Sequence, residues 1–184
     1  AVESAEAYDP RLGSWAPVAS MTEKRESHAS VVLDGKIYAM GGHVGDDITL
    51  DTVEVYDPQA DNWQRVASMP RGLSYHAATA MGGNIYVTGG MGGQEDDDDD
   101  DDDAALNFVY VYDPQADAWT QLASMSIARE SHASAAVGGK LYIFGGICAG
   151  ERLSTAEVYD PASDSWVQVS SLTSARNSMV AVAL

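Results

Sequence analysis

The 184-residue chain is poor in cysteine and in positive charge, and it has no long apolar run. Its one cysteine, Cys148, cannot form an internal disulfide, so the fold must rest on a core. A chain without disulfides fits a reducing compartment, and a cytoplasmic location is the expectation. Ten lysines and arginines stand against 28 aspartates and glutamates, for a net charge of −18. That balance argues against a nucleic-acid partner, whose phosphates would be repelled. No apolar stretch approaches the roughly 18 residues needed to cross a bilayer. The first residues, AVESAEAYDP, lack the basic and apolar regions of a secretory signal. No membrane partner is expected.

What the chain does have is a pattern that returns four times. A tyrosine in Tyr-Asp-Pro is followed seven residues later by a tryptophan: Tyr8 with Trp15, Tyr56 with Trp63, Tyr112 with Trp119, and Tyr159 with Trp166. Between these pairs an apolar run closes on two glycines: KIYAMGG at Gly41 and Gly42, NIYVTGG at Gly89 and Gly90, and KLYIFGG at Gly145 and Gly146. Successive Tyr-Asp-Pro tyrosines lie 48, 56 and 47 residues apart, and the long interval holds eight consecutive aspartates, Asp96 to Asp103. The molecule is therefore a repeat array with a period of about fifty residues and one loop insertion, residues 94–104.

A double glycine, a Tyr-Asp-Pro turn and a tryptophan, in that order and at that period, resemble the kelch repeat. The match of "SHASVVLDGKIYAMGG…VEVYDPQADNWQRVASM" is closest in style to the kelch domains of cullin ubiquitin-ligase substrate adaptors. The resemblance implies an all-β kelch-type β-propeller of four-stranded antiparallel blades. Period-two patterns bounded by turn residues agree. In each repeat a first strand (HASVVLD, HAATAMG, HASAAVG) meets an Asp-Gly or Gly-Gly turn suited to tight hairpins. A second strand then ends at the double glycine, a third carries Tyr-Asp, and a fourth starts with tryptophan. Small residues in the first strand (Ala29, Ser30, Ala77, Ala78, Ala133, Ser134) suit a narrow central axis, and the large aromatics suit the space between blades.

About four blade equivalents are expected, three complete and one split or incomplete. Residues 21–68, 69–124 and 125–171 form the complete units, and residues 1–20 pair with 172–184 in a split blade, all within one domain, 1–184. Four blades is few for a propeller. A portion of a longer propeller is the favoured expectation, beside a self-associating partial ring with open sheet edges and a closed four-bladed ring.

With this topology the variable loops His43 to Leu50, Met91 to Asn107 and Ile147 to Ser154 share one face with the inter-blade segments Met21 to Ser27, Met69 to Tyr75, Met125 to Ser131 and Leu172 to Ser178. Function on a rigid scaffold usually lives in such loops. Arg25, Arg129 and Arg176 recur in those segments, with Arg71 displaced in the second repeat and Lys24 and Arg152 nearby. The cullin-adaptor resemblance implies that these arginines grip an acidic or hydroxyl-rich peptide through forked donors. Ser27, Tyr75, Ser131 and Ser178 accompany them as hydrogen-bonding groups. The alternative is that the arginines pair with Glu26, Glu130 or neighbouring acids and stiffen the loops.

Other chemistry finds less support. No helix follows the glycine pairs, so they do not cradle phosphate. His28, His76 and His132 sit at equivalent positions of separate blades, too far apart for a common metal, and are expected to make structural hydrogen bonds. The aspartate run lacks the spacing of a calcium loop and reads as a solvated, mobile segment. No catalytic constellation can be assigned, and neither a cofactor nor a metal is expected. The sequence thus points to a non-enzymatic module that binds a protein or peptide. Substrate recognition for a cullin-type ligase leads, with a stand-alone cytoskeletal or signalling scaffold as the alternative and a kelch-type enzyme as the less favoured one.

Overall fold

A computed structural model describes residues 1–45, 48–92 and 104–183; the aspartate run lies outside them. Among the described residues only strands and turns form. The first blade comprises Ala29–Leu33, Lys36–Met40, Val53–Asp57 and Asn62–Val66. The second comprises Ala77–Met81, Asn84–Thr88, Val109–Asp113 and Ala118–Gln121, and the third Ala133–Val137, Lys140–Phe144, Ala156–Asp160 and Ser165–Val169. Strands pair antiparallel in chain order within each blade, tight turns joining the first to the second and the third to the fourth and a longer loop joining the second to the third. The register sets Tyr56 opposite Trp63, Tyr112 opposite Trp119 and Tyr159 opposite Trp166.

First strands of neighbouring blades approach one another, with that of the second blade between the other two. Their small side chains permit this, and the Thr79 and Ser134 hydroxyls meet at 2.6 Å. The core lies between sheets. Tyr38, Met40, Val53 and Val55 of the first blade pack against Ile85, Val87, Tyr110 and Tyr112 of the second. On the other side of the second blade, Tyr86 and Val109 pack with Leu141, Ile143 and Tyr159 of the third. Alternation at period two sends successive residues of the middle blade to opposite neighbours, so both of its faces are apolar. Tyrosine pairs cross each seam, Tyr38 with Tyr112 at 6.1 Å and Tyr86 with Tyr159 at 6.2 Å between centroids.

Two hydrogen-bonded devices fix neighbouring units. In the first, Asp61, Asp117 and Asp164, each two residues before a tryptophan, accept from the tyrosine hydroxyl five residues earlier at 2.8, 2.7 and 2.7 Å. The same carboxylates accept the backbone N–H of Ala19, Ala67 and Ala123 in the preceding unit. Trp63, Trp119 and Trp166 donate their indole N–H to the carbonyls of those alanines at 2.8, 2.9 and 2.8 Å. In the second, the N–H groups of Gly42, Gly90 and Gly146 donate to the carbonyls of Leu73, Arg129 and Arg176 in the following unit. Gly41 stands at φ +58°, where a Cβ would collide with the Leu73 carbonyl, so the preceding glycine is also required.

The fourth blade equivalent is incomplete. Ala5–Asp9 and Ser14–Val18 form a separate two-stranded sheet, and residues 170–183 contain no strand. Among the described residues the N-terminal hairpin and residues 172–183 share no sheet, so the split blade expected from 1–20 and 172–184 is not formed there. Gly13 stands where the other repeats have the clamping aspartate, and Tyr8 and Trp15 are 50% and 66% exposed.

Candidate binding face

The inter-blade segments and the variable loops meet on one face through short backbone bridges, Glu26 with His43, Ser74 with Met91 and Glu130 with Ile147. This grouping follows from the meander, because both segments leave the same end of each blade. Two of the loops form small hairpins, His43–Val44 with Ile48–Thr49 and Ile147–Cys148 with Glu151–Arg152.

At the inner edge of this face Ser27, Tyr75, Ser131 and Ser178 all adopt the left-handed conformation, with φ of +52°, +53°, +51° and +51°. They form an arc of backbone hydrogen bonds. The Tyr75 N–H donates to Ser27, that of Ser131 to Tyr75, and that of Ser178 to Ser131, at 3.0, 2.8 and 2.8 Å. Non-glycine residues rarely hold this conformation, and here the arc bonds hold it, two at Tyr75 and Ser131 and one at Ser27 and Ser178. The structure thus joins four sequence-predicted residues into one element. Tyr75 differs from its three serine counterparts. Its side chain is exposed and its ring lies 5.7 Å from that of His43, whose Nε2 sits 3.4 Å from Glu26 Oε1.

The arginines separate into two groups. Arg25 and Arg129 are buried, which corrects the expectation that they line a peptide pocket. Arg25 donates to Glu54 at 2.9 Å and to the Gly41 carbonyl at 2.6 Å. Arg129 does the same with Glu157 at 2.8 Å and Gly145 at 2.6 Å. Withdrawing either guanidinium toward a ligand would strand a buried carboxylate. Burial pushes the Glu54 carboxyl up, but the Thr22 amide and Arg25 outweigh it and hold it below its ordinary value. Ser126 and Arg129 do the same for Glu157 against its burial. Of the two readings from sequence, pairing with neighbouring acids describes Arg25 and Arg129. The acids they hold most closely are Glu54 and Glu157 on the third strand, with Glu23 at 4.0 Å from Arg25. A glutamate inside the apolar runs VEVYD and AEVYD was the available signal.

The other cations remain near the surface. Arg71, half-buried, donates to the Gly92 carbonyl and lies 5.0 Å from the Phe108 ring centroid. Arg176 is exposed and among the described residues donates to Ser174, while Arg152 donates to Asn177 at 3.0 Å. The histidines line the inner strands instead. His132 Nε2 shares a 2.9 Å hydrogen bond with Thr88, and neither ring nitrogen of His76 has a well-formed partner. Among the described residues no three histidine, cysteine or acidic side chains converge as a metal site.

Meandering four-stranded sheets around common inner strands, with loops gathered at one end, define a kelch-type propeller. The Kelch motif matches residues 24–70, 72–126 and 128–173, one match per complete blade and well over half of the chain, which therefore belongs to the kelch-repeat family. Among solved structures it is similar to one described as "Structure of YjhT", at 20% sequence identity and a TM-score of 0.73, covering 89% of this chain. That likeness speaks for the fold, and this chain spans 57% of that structure's length. No curated protein matches the sequence.

Proposed function

We propose that the chain is a protein-interaction module that presents the arc face to a protein or peptide. The observation that carries this reading is Tyr75, an exposed aromatic ring on a backbone held by two hydrogen bonds, at the one position of the arc where the other repeats have serine. A preorganised aromatic loses little entropy when it is covered. Ser27, Ser131 and Ser178 offer hydroxyls beside it, and Arg71 and Arg176 offer charge for acidic groups of a ligand. The setting we favour is substrate recognition for a cullin-type ubiquitin ligase in the cytoplasm; a stand-alone cytoskeletal or signalling scaffold is the alternative.

The test is affinity capture with the wild type beside Tyr75→Ala and Arg176→Ala, followed by binding measurements on whatever is retained. Tyr75→Ala should weaken binding by about thirtyfold, the size of a ~2 kcal/mol hot spot. Retention of the same partners at unchanged affinity by both variants would remove the arc face from the function. The full-length gene product separates the two settings: an upstream BTB module favours the ligase, and its absence the scaffold.

A further inference from the structure

The two inner residues of the arc each stand directly before a buried histidine, Tyr75 before His76 and Ser131 before His132. Building on the arc as the binding face, we infer that these two histidines make it a pH-sensitive element, closed at neutral pH and opening locally in mild acid. The rings are placed where a proton is unwelcome. His76 and His132 are 7% and 6% exposed. His76 lies over Gly41 of the first blade and His132 over Gly89 of the second, so close that a Cβ on either glycine would meet the ring. Among the described residues neither nitrogen of His76 has a hydrogen-bond partner, nor has Nδ1 of His132, whose Nε2 meets Thr88 at 2.9 Å. Buried polar atoms left in this state are rare.

The surroundings offer a charged ring no acid. Burial, then His28 and Arg25, keep His76 neutral, while the Leu73 carbonyl pulls the other way without a well-formed hydrogen bond. Burial, then Arg129 and His76, do the same for His132. The carboxylates of Glu54 and Glu157 are held by those two arginines at 2.9 and 2.8 Å. Among the described residues no carboxylate is hydrogen-bonded to either ring. A protonated ring therefore gains by reaching water.

The chain around each ring decides what yields. The inner strands start at Ala77 and Ala133, one residue beyond the histidines, and Ser74 and Glu130 on the other side are bridged to Met91 and Ile147. Residues 75–76 and 131–132 thus form short links between fixed points, and a ring can leave with its link while the sheet stays paired. The bonds in the way are those of the arc: the Tyr75 N–H on the Ser27 carbonyl and the Ser131 N–H on the Tyr75 carbonyl. Tyr75 and Ser131 are held at φ +53° and +51°, a strained backbone for residues with a side chain, so release relaxes it. Proton uptake by the freed imidazole then stabilises the open arc. Opening also takes the exposed Tyr75 ring off its fixed backbone, so a partner that covers it binds more weakly in acid.

Native-state amide exchange, followed by NMR at pH 7 and pH 5 and divided by the intrinsic rates, tests the proposal. The Tyr75 and Ser131 amides should open more readily than those of Val87 and Ile143, which are fully buried in central strands, and their opening should not respond to low urea, the mark of a local event. From pH 7 to pH 5 the opening constant should rise about twentyfold for each ring released, the ratio that folded values of about 4 for His76 and about 3 for His132 give against the ordinary 6.5. His76→Met, which uses the residue of the equivalent position 179, should flatten that rise at Tyr75. Arc amides that exchange only together with Val87 and Ile143, or a wild-type arc whose opening is the same at both pH values, would overturn the proposal, as would a full rise retained in His76→Met. None of these readings involves a ligand, so the switch can fail while the arc face still binds a partner.

Discussion

The indole of Trp63 donates to the carbonyl of Ala19 at 2.8 Å, across 44 residues of sequence, while Asp61 accepts the N–H of the same alanine. This two-point grip holds neighbouring units edge to edge and repeats at the two later seams. It turns a turn acid and an aromatic, each unremarkable alone, into the joint of the array. The tyrosine hydroxyl completes it by steadying the acid.

Removing that hydroxyl measures the joint. Tyr112→Phe deletes the 2.7 Å bond to Asp117 in a side chain that is 1% exposed, and should cost about 1 kcal/mol. Tyr8→Phe should leave stability unchanged, because Gly13 replaces the acceptor. Urea unfolding of both variants checks this; equal losses would mean that the hydroxyl contributes nothing through the clamp.

The second repeat is a natural control for the buried ion pairs. It carries Leu73 and Tyr110 where the flanking blades have Arg25 with Glu54 and Arg129 with Glu157, and both are buried. Charge pairs and apolar pairs thus serve the same position, as the near balance of desolvation and attraction allows. Arg129→Leu alone should cost about 3–5 kcal/mol by stranding Glu157. The double change Arg129→Leu with Glu157→Tyr should recover most of that loss. Chemical unfolding of the single and double variants reads the difference, and a double variant no better than the single would refute the equivalence.

How much of this the sequence discloses depends on how local the cause is. The Tyr-Trp pairs and double glycines are legible because packing at every seam demands them, so they recur at the blade period. The loop face is legible too, since it follows from counting strands. The burial of Arg25 is hidden in the sequence because its segment connects blades, a position that suggests the surface. Its partner Glu54 lies 29 residues later, inside a strand that reads as apolar. Asp61, Asp117 and Asp164 recur visibly before each tryptophan, yet only coordinates show them reaching the preceding blade. The left-handed backbone at Ser27 and Tyr75 has no compositional signature, because hydrogen bonds to other blades impose it.

Two glycines at positive φ differ in what a side chain would meet. Gly83 and Gly89 both have positive φ, +82° and +55°, so alanine at either pays a backbone penalty of about 1–3 kcal/mol. At Gly83 nothing lies within reach of a new Cβ, whereas at Gly89 it would meet the Arg129 carbonyl of the next blade. Gly89→Ala should therefore cost clearly more than Gly83→Ala and should also loosen the seam, seen as faster hydrogen exchange at Gly90. Equal costs would assign the whole effect to φ and none to the close approach.

Acid should unfold the protein through its inner histidines first. Burial, then the neighbouring His28 and Arg25, press His76 to about 4 against a smaller upward pull from the Leu73 carbonyl. Burial, then Arg129 and His76, press His132 to about 3. Both rings are neutral when folded and take up a proton more readily when unfolded. Their contribution is therefore complete above 6.5, the ordinary histidine value, and is lost as pH falls below it. Glu54 and Glu157, held below their ordinary value of 4.5, add losses of the same sign only at lower pH. Between pH 6.5 and 4.5 the buried histidines thus dominate, each contributing up to about 1.4 kcal/mol per pH unit. Met179 occupies the equivalent position in the C-terminal segment, so His76→Met places a residue the repeat already uses there and removes one titrating group. Urea unfolding across this window should show the pH slope falling by about one proton in that variant. A wild type with equal stability at pH 6.5 and 4.5 would mean that the inner strands admit the charged ring.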